Sequence, residues 1–159
     1  MTDYQPIWDE VMSKFRLGLG SIHGYDHWTT VQGYGMKIAR ADDATMSVVK
    51  LFAILHDSCR LDDNADPEHG LRAAEYAKEM RGRLFEICDE HFDRLYYACK
   101  WHAHGMISKD ITIGACWDAD RLDLGRVGII PNLSLFSTWT GRRIAESLQP
   151  RSWNAGMEI

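Results

Sequence analysis

The sequence predicts an all-α protein. Three observations carry that expectation. Apolar residues recur at intervals of three and four in one segment after another. No long window alternates with the period of two that a half-buried strand needs. Gly, Pro and Asp cluster between the periodic segments, where a helix would start or stop. A chain of 159 residues is long enough for one domain with a sizeable core. It shows no repeat, low-complexity tract or linker, so a single bundle of about six to eight helices is expected.

Pro6 can occupy the first turn of a helix with Ile7, Trp8, Val11 and Phe15 on one face. The glycine-punctuated "GLGSIHG" breaks the chain, and Asp26 reads as the N-cap of a second helix. His27, Val31, Tyr34 and Ile38 share that helix's stripe. After "DDAT" a third helix runs through "LFAILHD" to about Asp57. The polar loop "RLDDNADPEHG" follows, with Pro67 in the first turn of a fourth helix through "LRAAEYAKEM". A fifth carries Cys88, Phe92, Leu95, Cys99 and His102 in phase and ends at Gly105. A sixth places Ile113, Trp117, Asp120 and Leu124 on one face. "GIIPNLS" is a loop, residues from about Leu133 to Leu148 form a last helix or two, and the tail after Pro150 is expected to be loosely held.

Composition narrows the function. The hydrophobic fraction of 45% is ordinary for a globular protein. No stretch approaches the roughly 20 apolar residues of a membrane helix. The start "MTDYQPIWDE" lacks the basic and apolar regions of a signal peptide, which makes a cytoplasmic home the expectation. A net charge of -5 without a basic run argues against general nucleic-acid binding. Cys59, Cys88, Cys99 and Cys116 form no CxxC pair and read as reduced, mostly buried thiols.

The informative residues are polar ones on apolar stripes. His27, His102 and Asp120 fall where the helical period calls for core residues. His56 is in phase with Val49 and Phe52, and Asp57 follows it at the helix end. A lone core histidine needs only one partner. Several buried polar groups on separate helices each need one, and a shared metal ion would satisfy them together. Imidazole and carboxylate are ligands for zinc, iron and manganese alike. The competing reading is a bundle in which these groups pair among themselves.

His27 opening a helix, "HD" at His56–Asp57 and "DADRLD" at Asp118 to Asp123, in that order, resemble the HD superfamily of metal-dependent phosphohydrolases. "HWTTV" is similar to the family's first motif, a ligand His with Val four residues on, and "ADR" to its closing motif. The resemblance spans roughly Gly20 to Gly128. It implies an HD-like domain over 1–159, with its core at about 20–128 and a C-terminal helix and tail at 129–159. Carried over by position, it implies the metal set His27, His56, Asp57 and Asp120. Asp118 and Asp123 compete with Asp120. The stripe favours Asp120, leaving Asp123 either to orient a ligand or, like Asp118, on a solvated face.

The same resemblance implies a divalent transition metal (Mn, Zn, Fe, Co or Ni), with room for a second, and a small phosphorylated substrate, nucleotides first. A water whose pKa the metal lowers would attack phosphorus. Asp57 would be both ligand and neighbour of that water. His102 would bind a second metal, contact substrate or pass a proton to the leaving group. Many members carry Glu or His three residues after the HD Asp. Here Arg60 stands instead, leaving the general base unassigned and suggesting a forked contact with phosphate. Lys100, Arg121 and Arg126 are further phosphate-binding candidates, and His69 and His23 candidates for the substrate pocket. His104 and His91 are expected outside the site. Tyr25, Trp28 and Trp101 are core aromatics or stacking surfaces for a base. Two other functions fit the pattern. One is the di-iron HD oxygenases, whose order H…HD…H…H…D His69 and His102 would complete. The other is a non-catalytic metal-binding or sensor domain. A homo-oligomer is compatible with the resemblance.

Overall fold

The computed structural model describes residues 2–18 and 20–150. It contains seven α-helices: α1 (Gln5–Lys14), α2 (Tyr25–Asp42), α3 (Met46–Leu55), α4 (His69–Met80), α5 (Asp89–Trp101), α6 (Ile111–Arg121) and α7 (Trp139–Ser147). Short 3-10 turns occupy His102–His104, Leu124–Val127 and Leu133–Leu135. Among the described residues there is no strand, only an isolated bridge between Arg81 and Phe85. The all-α expectation holds.

The differences from the sequence lie at helix ends. Gly24, not Asp26, caps α2, and Asp26 sits in the first turn, where its charge complements the helix dipole. The third helix ends at Leu55, two residues early, because the chain turns at His56 and Asp57. Pro67 precedes α4 instead of entering it. Cys88 is an exposed cap of α5, so only Cys99 and Cys116 are fully buried thiols. Leu124 has left α6 for a 3-10 turn, and the last helix begins only at Trp139. The expected loose tail lies outside the described residues.

Helix α3 is the axis of the molecule. It packs against α1, α2, α4, α5 and α6. Leu51, Phe52, Ile54 and Leu55 are fully buried, each burial contributing roughly 1.5–3 kcal/mol. Its apolar surface is nearly continuous around its circumference, as a helix enclosed on all sides requires. α1 is fastened across this core by Glu10, whose carboxylate accepts from both guanidinium arms of Arg83 at 2.7 Å and from Tyr76 at 3.1 Å.

Helices α4 and α5 approach closely at Gly70. A Cβ there would lie 2.6 Å from the Cys99 carbonyl oxygen and 2.8 Å from that of Lys100. The neighbour of Gly70 is His69 and the neighbours of Cys99 lead to His102, so this contact sets how near those imidazoles come.

Gly70→Ala is therefore expected to push α4 off α5 and destabilise the fold by about 1–3 kcal/mol, read by urea denaturation. An unchanged midpoint would contradict the close approach. A second expectation concerns pH. Hydrogen bonding to Arg83 is the main cause that lowers the Glu10 pKa from 4.5 to about 2, against a smaller opposing effect of burial. A depressed carboxylate stabilises the fold above its unfolded pKa, and that contribution fades as pH falls towards the folded value. The melting-temperature gap between the wild type and Glu10→Gln should thus be full at pH 6 and clearly smaller at pH 3, which thermal scans at the two pH values would show.

Candidate metal centre

Five segments deliver side chains to one buried spot between the helix ends. His56 follows the last turn of α3, and its Nδ1 lies 3.0 Å from the Phe52 carbonyl and 3.2 Å from that of Ala53. His27, in the first turn of α2, points Nδ1 at Asp123 Oδ2, 2.7 Å away. His69 opens α4 with Nδ1 on the Asp66 carbonyl. His102 closes α5 with Nδ1 2.7 Å from the Cys99 carbonyl. In each ring Nδ1 faces an acceptor, so the hydrogen-bond network assigns the proton to Nδ1 and leaves Nε2 a lone pair in the neutral form.

Those lone pairs converge. His27 Nε2 and His56 Nε2 are 3.0 Å apart, and His69 Nε2 and His102 Nε2 are 2.9 Å apart. Between the two pairs lies the Asp57 carboxylate. Its Oδ2 is 3.5 Å from His27 Nε2 and 3.7 Å from His56 Nε2. Its Oδ1 is 3.2 Å from His69 Nε2 and 3.3 Å from His102 Nε2. Asp120 Oδ1 joins the first pair, 3.2 Å from His27 and 3.6 Å from His56. Facing acceptors repel unless a cation stands between them. This donor set therefore fits a divalent metal, with His27, His56, Asp57 and Asp120 able to hold one ion and Asp57, His69 and His102 a second.

The electrostatics agree with that fit. Burial alone would raise the pKa of Asp57, but without a metal the His56 charge and hydrogen bonds from His102, His23 and His69 in their protonated forms hold it well below the usual carboxylate range. Asp120 is likewise held well below it, as hydrogen bonds from His27 and His56 outweigh burial. Burial lowers the pKa of His56. Burial also opposes the charged form of His27, yet Asp120 and Asp123 win and lift it to about 9. The carboxylates thus stay ionised inside the cluster, and a bound cation would take the place of the proton on His27.

The structure brings His27, His56, Asp57, Asp120 and His102 together. His69 joins them as a sixth converging donor; the sequence offered it both as a substrate contact and, in the di-iron reading, as a further ligand. His23 lies at the edge, its Nδ1 2.9 Å from Asp57 Oδ2 and its Nε2 3.1 Å from the Asp63 carbonyl. Arg60 donates through Nε to Asp57 Oδ1 at 3.2 Å and through Nη1 to the carbonyls of Asp62 and Asn64. Arg126 donates to the carbonyls of Ile22 and Asp123. Lys100 does not reach the cluster, because its ammonium lies 4.9 Å over the Trp101 ring. Arg121 fastens the carbonyls of Leu135 and Met106.

Asp123 orients His27. Asp118 is neither ligand nor solvated: it is fully buried and accepts from Ser137 N, Thr138 N and Thr138 Oγ1 at 2.7–2.8 Å, tying α6 to the start of α7. Sequence reasoning missed the groups that aim the rings. The carbonyls of Phe52, Asp66 and Cys99 carry no residue signature at all. Ser21, which holds the Asp63 side chain beneath His23, gave no periodic signal either. Trp28 is buried and Tyr25 packs edge-on against Trp8, so neither is offered as a stacking surface beside the cluster.

Among solved structures, the chain is similar to a crystal structure of a predicted HD superfamily hydrolase from an uncultured Thermotogales bacterium, with TM-score 0.73 and 25% identity over 92% of this chain and 84% of that one. The fold is that of an HD-domain hydrolase. No family model matches the sequence, and no curated protein is significantly similar to it. The HD-domain resemblance seen in the motifs thus rests on the shared architecture and on the His/Asp cluster. No helix of the described residues is long and apolar enough to cross a membrane.

Asp118→Ala should leave the two buried Thr138 donors without a partner, at roughly 1–3 kcal/mol each, release the half-buried Ser137 amide and loosen α7. Chemical denaturation should show that loss while metal analysis shows unchanged stoichiometry. A lost metal with unchanged stability would put Asp118 in the centre instead.

Proposed function

We propose that this chain is a metal-dependent hydrolase of small phosphate esters. The observation that carries the proposal is the pair of facing Nε2 couples bridged by Asp57, at 3.0 and 2.9 Å. A divalent cation held there lowers the pKa of a bound water and offsets charge on a phosphoryl oxygen. Hydrolysis adds the water oxygen to phosphorus, breaks the ester P–O bond and delivers one proton to the departing alkoxide.

The protein's own groups divide the work. Asp57 keeps one oxygen towards each histidine pair, so both pairs share a single charge. Asp123 and the carbonyls behind His56, His69 and His102 lock the tautomers. Arg60 steadies Asp57 through Nε, and its Nη2, which makes no hydrogen bond among the described residues, is free to meet a phosphoryl oxygen. His102 is enclosed, with its Nε2 turned into the cluster, and serves as a ligand and not as a proton carrier. His23 takes over that expected role. It is more exposed than His102 and bonds Asp57 Oδ2, so it is placed to hold or pass a proton at Nδ1.

A second reading is favoured by one observation. The six converging donors run His27, His56–Asp57, His69, His102, Asp120 along the chain, the order expected of a di-iron HD oxygenase. The two readings separate by experiment. Protein loaded in turn with Mn²⁺, Co²⁺, Zn²⁺ and Fe²⁺ should hydrolyse phosphate esters without oxygen, and folded His56→Ala and Asp120→Ala proteins should not. Activity only with iron and only with oxygen would replace the hydrolase. Folded protein that binds metal but turns over nothing under either condition would leave a non-catalytic metal-binding domain. Asp123→Ala, which frees the His27 ring, should weaken metal binding about 10–100-fold in competition titrations against a chelator.

A further inference from the structure

We infer that the substrate is a compact phosphomonoester: one phosphoryl group on a short, uncharged, largely apolar alcohol, and not a nucleotide. The inference rests on the hydrolase reading above and narrows its substrate class.

Of the six converging donors, Asp120 is the one with an exposed side chain. The Asp120 side chain is 20% exposed, whereas those of Asp57, His27, His56, His69 and His102 are at most 3% exposed. At Asp120 and His102 a cavity of about 240 Å³ adjoins the cluster. Sites that enclose drug-sized ligands measure roughly 300–1,000 Å³, so this one suits something smaller.

The chemistry of its walls points the same way. Ala103, Leu124, Pro131 and Leu135 supply apolar surface. The Asn132 carboxamide oxygen is taken up by the Ser134 amide and hydroxyl. Arg121 is the one cation among the described lining residues. Its guanidinium is buried, fastened to the Leu135 and Met106 carbonyls and held 5.9 Å from the Trp117 ring. It acts as a strut under the loop that closes the cavity. A diphosphate or triphosphate tail in this cavity would thus meet apolar side chains and no free Arg or Lys, beside the Asp120 carboxylate. Burying charge without a partner is strongly disfavoured.

The phosphate-binding candidates Lys100, Arg126 and Arg60 do not line this cavity. Lys100 lies on Trp101, and Arg126 on the Ile22 and Asp123 carbonyls. Arg60 lies on Asp57 and serves one phosphoryl group at the cluster. The one aromatic ring among its described lining residues is the His102 imidazole, which is turned into the cluster, so no Phe, Tyr or Trp face is offered to a nucleobase. What the walls offer is space and apolar contact for an alcohol of a few carbons.

The test combines kinetics with binding. On metal-loaded protein, kcat/KM is measured for propyl phosphate, butyl phosphate and adenosine 5′-monophosphate. Binding of propyl phosphonate, which cannot be hydrolysed at its P–C bond, and of the same nucleotide is followed by calorimetry. The alkyl esters should exceed the nucleotide by about tenfold or more in kcat/KM, and the phosphonate should bind more tightly than the nucleotide. Leu135→Ala and Leu124→Ala should move the preferred chain length upward and narrow the gap. Nucleotide turnover equal to or above that of the alkyl esters would overturn the inference and keep the hydrolase. Phosphonate binding displaced by these two substitutions, without turnover of any ester, would keep the cavity assignment and remove the hydrolase reading. Neither binding nor turnover would overturn both.

Discussion

Everything in this molecule is arranged around one carboxylate. Asp57 is an ionised group just beyond the end of a largely apolar helix, with nitrogens of His23, His27 and His56 facing one of its oxygens and those of His69 and His102 facing the other. Such a charge is tolerable only where opposite charge compensates it. Helix α3 brings it to the middle of the molecule, and the ends of α2, α4 and α5 and the last turn of α6 are brought to it. The fold can be understood as a means of meeting that requirement. Four of the five helices packed against α3, namely α2, α4, α5 and α6, also carry, or lead into, the ligands.

The arrangement separates stability from chemistry with some economy. The apolar core ends at Phe52, whose ring stacks on His56 at 4.8 Å between centroids. On one side of that contact the interactions are dispersion and burial. On the other they are hydrogen bonds and charge. Gly70 shows how finely the two are joined. It has no role in the chemistry, yet a single methyl group there would separate His69 from His102.

Much of this was legible in the sequence, for a physical reason. His27, His102 and Asp120 lie on apolar stripes, and a stripe reports which way a side chain points. His56 and Asp57 stand at the end of a run too apolar to be anything but core. His69 was harder to place, because it opens its helix ahead of any stripe, and its position depends on the approach of α4 to α5. Lys100 looked plausible through nearness in sequence to His102, but two residues along a helix turn a side chain to another face. Asp118 was misjudged because periodicity gives direction and not partner, and its partners are main-chain amides of a distant helix start. Substrate size could not be read locally, since the cavity is closed by a loop and two 3-10 turns that no helical period describes.

The way the rings are aimed has an evolutionary side. His56, His69 and His102 are each oriented by a main-chain carbonyl, and only His27 depends on a side chain, that of Asp123. A carbonyl survives every point mutation that preserves the backbone. Random drift can thus rewrite the residues behind three of the four imidazoles without disturbing their orientation. The scaffold is buffered against sequence change at the place where chemistry is most demanding. Such buffering gives a simple reason why two proteins sharing a quarter of their residues can keep one architecture, and it marks Asp123 as the position where the buffer is absent.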